Sequence, residues 1–145
     1  MSFCSKIKKV DEETLLSLSK MKWKKNTWIT VSARGSSGGL ATLCVEDTFS
    51  LENSFKTQHW IFTELWHTAS KISLAIFNLY VPINFLEKKE CSNSLAYFVA
   101  TYAPSNIIVV GVLNITMDPK EKNEEFVGGT QCIKWWRMLS NYGIC

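Results

Sequence analysis

Two places in this 145-residue chain set polar side chains at the ends of apolar runs. Tyr80, Pro82 and Asn84 follow the run at 72–79, and Asn114 and Thr116 follow the run at 107–112 within "NIIVVGVLNIT". Reactive groups gather where rigid strands hand over to loops. Side chains alternate with period two along a strand, so Val112 and Asn114 face the same side. In a G-D-x-N sequence at this place, an Asp and an Asn would be aimed at one ligand. Such a pair can orient a water and a phosphate beside a magnesium ion, which takes oxygen ligands and one or two carboxylates. Here the residues are "GVLN", and the inert Val112 stands where the carboxylate would be.

The other candidates for chemistry have plainer readings. His59 and His67 are eight residues apart, one in a strand and one in a turn, which is not ligand or triad spacing. The "GSSGG" segment is not followed by the Gly-Lys-Ser/Thr of a phosphate-binding loop and reads as a hairpin turn. Cys4, Cys44, Cys91, Cys132 and Cys145 contain no C-x-x-C pair, so reduced thiols are expected rather than a zinc cage or disulfide framework. Asn114-Ile115-Thr116 matches a glycosylation sequon, but "MSFCSKIKKV" has no apolar signal core, so the match is incidental. The six Trp read chiefly as core.

The elements that must position Tyr80, Asn84 and Asn114 follow from periodicity. Residues 10–25 predict a helix, with Asp11 as cap and acidic residues in the first turn. Residues 26–33 and the run "LATLCV" predict two strands joined by "RGSSGG". Residues 56–65 and 71–81 predict a hairpin around "WHTAS". In the second of these strands Ile72, Leu74, Ile76, Asn78 and Tyr80 share one face, and Ala75, Phe77, Leu79 and Val81 the other. Both faces are apolar until the end, which predicts a central strand covered on both sides. Asn84 with Glu87 is a capping-box spacing for a helix through 102, with Cys91, Leu95, Phe98, Val99 and Tyr102 as its apolar stripe. Residues 107–112 predict a buried strand, and 131–143 a closing helix with Gly143 past its end. Together these predict an α/β or α+β layered fold.

With 46% hydrophobic and 20% charged residues, the chain has the material for one ordinary core, so a single domain over 1–145 is expected. Its longest apolar runs, "ISLAIF" and "IIVVGVL", are far short of the roughly 18 residues of a membrane span. No membrane partner is therefore expected. Net charge is +3, yet Lys6, Lys8, Lys9, Lys20, Lys22, Lys24 and Lys25 crowd the first 25 residues. That cluster reads either as a solvated helix flank or as a patch that attracts phosphates.

"ARGSSGGLATL", "IFNLYVPIN", "SLAYF" and "NIIVVGVLNITMDPKEK" occur in this order and resemble successive landmarks of the endonuclease/exonuclease/phosphatase superfamily, the DNase I-like fold. In particular they resemble the endonuclease domain that opens the polyprotein of plant non-LTR retrotransposons. The similarity runs from Ser5 to Cys145. It implies a partial two-sheet sandwich with flanking helices, its C-terminal part missing, and a magnesium-dependent hydrolase acting on DNA phosphodiesters.

The family's Q-E-T-K motif, whose Glu binds the metal, matches "SKIKK" and sets Lys6 at the Glu position. Its Y-x-P-N segment matches with Tyr80, a phosphate contact, and Asn84, on the substrate-binding side. Its G-D-x-N matches "GVLN", with Val112 for the Asp that activates water and Asn114 retained. A further catalytic Asp and a terminal S-D-H have no match before Cys145. Loss of a general base typically costs about 10² to 10⁴ in rate. A lysine in a divalent site adds a repulsion on the order of 1 kcal/mol or more. The resemblance thus implies a catalytically dead remnant with no cofactor of its own. Tyr80 and Asn114 are its surviving catalytic residues, and its location is intracellular, with nuclear following from ancestry alone. Each survivor also has a structural reading: Tyr80 as a strand end with its hydroxyl in water, Asn114 as a turn former. A second class of function is a non-catalytic binder of nucleic acid or protein that uses the basic N-terminal region.

Overall fold

The computed structural model describes residues 25–33, 39–112 and 114, the backbone of 3–7, and Ser17. Apart from helical Ser17 and Lys25, the helix predicted over 10–25 lies outside the described residues, as does the one over 131–143. The described strands are β1 (Phe3–Ile7), β2 (Asn26–Val31), β3 (Gly39–Val45), β4 (Phe49–Lys56), β5 (Trp60–His67), β6 (Ile72–Tyr80) and β7 (Ile107–Val112), and the described helix is α1 (Phe85–Tyr102). The chain divides into two compact units, Met1–Tyr80 with Ser105–Val112, and Val81–Pro104 with Leu113–Cys145.

The first unit holds two sheets, one ordered β1-β3-β2 and the other β4-β5-β6-β7. All pairs are antiparallel except β6 with β7, which run parallel. β6 is the central strand its two apolar faces predict, buried from Ala75 through Leu79. On one face Phe77 lies between Trp60 and Phe62, with ring centroids 6.0 and 5.1 Å apart. On the other, Ile76 and Leu65 join Cys44 of β3 in an apolar cluster between the sheets. Asn78 shares that face and is 1% exposed. Its Nδ2 donates to Ala41 O at 3.0 Å and to Thr42 Oγ1 at 3.2 Å, so a polar group that would be costly to bury alone ties sheet to sheet.

The expected hairpin is present, but its first strand is corrected. Lys56 belongs to β4, Thr57–His59 form a turn, and β5 begins at Trp60. Thr57 Oγ1 accepts from the amides of His59 and Trp60, each at 3.2 Å, and this turn delays the start of the strand, which then runs on to His67. Lys71 is likewise a turn residue, with φ 58°, rather than the first residue of the second strand. β4 itself was not predicted. It is an edge strand with residues 52–56 exposed and a bulge between Leu51 and Asn53, so no hydrophobic alternation marks it.

Parallel pairing needs an anchor that no tight turn supplies. Asn106 provides it, in the left-handed region at φ 51°, with Nδ2 on Ser73 O at 2.9 Å and its carbonyl accepting Ala75 N at 3.1 Å. This sets Ala75 opposite Ile107 and carries the register to Tyr80 opposite Val112.

In the second unit α1 starts as the sequence predicts, with Asn84 as N-cap. It ends at Ala103, whose φ of 47° is left-handed and whose N–H bonds Val99 O at 2.9 Å. The buried stripe is Cys91, Leu95 and Val99. Phe98 is only half-buried and Tyr102 is exposed, the two rings stacking on each other at 5.3 Å. Among the described residues no helix is long and apolar enough to cross a membrane.

Candidate functional site

In the first unit, the ends of β6 and β7 bring two of the expected positions together. Tyr80 and Val112 are register partners across the parallel pair, both half-buried. Parallel partners project from the same face, so Val112 stands beside Tyr80, the residue for which the family resemblance implies a phosphate contact. Tyr80 N donates to His59 O at 2.7 Å, which fixes the strand end. Lys6 lies in β1 opposite Leu40, and β1 also approaches β7; the Lys6 side chain lies outside the described residues. An isopropyl group neither accepts a proton nor ligates an ion.

In the second unit, Asn84 and Asn114 are both engaged by the chain itself. Asn84 Oδ1 accepts from Leu86 N at 2.9 Å and Glu87 N at 3.4 Å, filling two of the orphan donors of a helix start. Asn114 has φ 45°, which asparagine tolerates better than most residues. Its Nδ2 donates to Val81 O at 2.7 Å, and its backbone carbonyl accepts from Lys88 Nζ at 3.2 Å.

The sequence alone does not pair Lys88 with Asn114, 26 residues away. The signal available was its place four residues after the cap, where the helix macrodipole favours carboxylates over ammonium groups. The sequence places Asn78 on a strand face but carries no sign of an inter-sheet tie, because its partners lie 36 and 37 residues away. The histidines take structural roles. His59 sits in the β4–β5 turn, while His67 Nδ1 pairs with Ser70 Oγ at 2.5 Å and its ring meets Phe49 at 5.0 Å. Cys44 and Cys91 are buried free thiols, and burial pushes Cys91 up to about 12.

The family resemblance of the sequence implies a divalent metal, and the described residues offer little to hold one. In the first unit Val112 has no oxygen donor to offer, in the second the Asn114 carbonyl already faces an ammonium, and no group of three or more His, Cys, Asp or Glu gathers among the described residues. Hard cations such as magnesium need anionic oxygen donors, at least one or two of them.

No protein-family model matches the sequence, and no curated protein does. Among solved structures, the human nocturnin catalytic domain with bound sulfate anion superimposes with a TM-score of 0.53 at 16% identity. The match covers 79% of this chain and 51% of that one, so this chain spans about half the length of its structural neighbour. At that identity the likeness is one of fold. The chain therefore carries part of a DNase I-like two-sheet α/β fold, as its ordered sequence landmarks predict.

Proposed function

We propose that this chain is a catalytically silent member of the endonuclease/exonuclease/phosphatase lineage, of the kind that opens plant non-LTR retrotransposon polyproteins. The lineage activity would be magnesium-assisted attack of water on a DNA phosphodiester. The observation that carries the reading is the pairing of Tyr80 with Val112: the strand ends keep their register, and the side chain that should activate water is apolar. Lys6 at the expected metal-ligand position adds support from the sequence. On this reading Tyr80, Asn84 and Asn114 persist because a strand end, a helix cap and a turn need them.

The test is plasmid nicking by the purified chain with magnesium or manganese. The expected result is no conversion of supercoiled DNA above the buffer control. Nicking that disappears with Tyr80→Phe or Asn114→Ala would refute the proposal, whereas nicking that survives both substitutions identifies a contaminant. A second reading rests on the seven lysines of the first 25 residues: a non-catalytic binder of nucleic acid or protein, held by charge and weakened by salt. A nuclear location belongs to the same lineage argument.

A further inference from the structure

The Lys88 ammonium sits where electrostatics alone would not put it. It lies early in α1, near the positive end of the helix dipole, yet it is part-buried, and its partner among the described residues is a backbone carbonyl, Asn114 O. That carbonyl belongs to a residue in the left-handed region, a conformation that persists when its surroundings over-determine it. Two bonds do so. Asn114 Nδ2 grips Val81 O on one side of the Asn84 cap, and Lys88 Nζ grips Asn114 O from the other side of it in sequence. A hydrogen bond from a charged donor is the stronger kind.

We infer that Lys88 serves as a resident cation in the described part of this unit, holding the backbone at Asn114 to the start of α1 and so making that contact both independent of divalent metal and closed to it. The inference rests on the proposed metal-free reading of the chain and gives it a cause. A divalent ion drawn to the Asn114 carbonyl would have to share it with a unit positive charge one hydrogen bond away, an arrangement that repels strongly where water is partly excluded.

Thermal unfolding of the full chain, with and without EDTA and with millimolar manganese, tests this directly. The wild-type midpoint should be the same in all three solutions. Lys88→Met, which keeps the aliphatic stem and removes the charge, should lower it by about 3–6 °C, and Lys88→Arg should recover most of that loss. A rise in the wild-type midpoint with manganese overturns the inference, as does a Lys88→Met protein as stable as the wild type. Were Lys88→Met not to fold, the Arg variant and the metal series on the wild type would still decide. Plasmid nicking on the same preparations keeps the two readings apart. Magnesium-dependent nicking overturns the silent-enzyme reading, while an unchanged Lys88→Met midpoint without nicking overturns only the resident-cation assignment.

Discussion

Replacing Gly111 by Ala isolates what the β6–β7 pair demands of its last turn of register. Gly111 has φ +126°, a region that side chains rarely adopt, at a cost of about 1–3 kcal/mol for any other residue. A Cβ there would lie 2.0 Å from Leu79 O and 2.8 Å from Leu79 N. Both atoms are backbone of the buried central strand, directly opposite in the register, so no side chain can swing away to make room. β7 would have to lift off β6, loosening one or two ladder hydrogen bonds worth about 1 kcal/mol each. The expected loss is about 2–5 kcal/mol, a large part of the 5–15 kcal/mol that roughly bounds domain stability. Urea unfolding followed by tryptophan fluorescence measures it. With a slope of about 2 kcal/mol per molar, the midpoint should fall by about 1–2.5 M, or the variant should be unfolded from the start. A loss below about 1 kcal/mol would mean that β7 does not hold this register against β6, and the pairing of Tyr80 with Val112 would fall with it.

Two smaller perturbations probe the second unit. Asn84→Ala removes the acceptor for Leu86 N and Glu87 N and should cost about 1 kcal/mol in denaturant unfolding, with Asn84→Asp retaining most of the wild-type stability. Burial pushes Cys91 from an ordinary 9.0 up to about 12. The unfolded chain therefore ionises this thiol first, so its contribution is intact below pH 9 and is lost as pH climbs from 9 towards 12, by at most about 1.4 kcal/mol per pH unit. Removing the thiol with Cys91→Ala should flatten that part of the stability profile, and a profile unchanged by the substitution would refute the assignment.

What the sequence made legible was local. The Asn84 cap could be read because donor and acceptor sit two and three residues apart. β6 could be read because both its faces are apolar, the signature of a strand covered on both sides. β4 could not, because an edge strand with five consecutive exposed residues carries no pattern of burial to detect. The helix stripe was legible at Cys91, Leu95 and Val99, which step by four along one face, and misread at Tyr102, where the helix ends and the ring lies outside the buried face. The partners of Lys88 and Asn78 were illegible for another reason: they lie 26 to 37 residues away, and only the folded backbone brings them to these side chains.

Within the stretch that carries the candidate site, fold and chemistry part at a single peptide bond. Gly111 is required by geometry, since the Leu79 backbone fills the space any side chain would need. Val112, next to it, is under no comparable constraint. It is half-buried at the end of a strand, and a β-branched side chain suits an extended backbone at least as well as a carboxylate does. A strand end can therefore exchange an acid for a hydrocarbon without disturbing the ladder, while any change at the neighbouring glycine strains the backbone and pushes the two strands apart. On the proposed reading, this is how the chain keeps the register that once aimed reactive groups at a phosphate after the group that did the work is gone. Asn114 completes the argument from the other side. Its amide and carbonyl are held by Val81 and Lys88, so the residue has a structural reason to persist whether or not any ligand is ever bound.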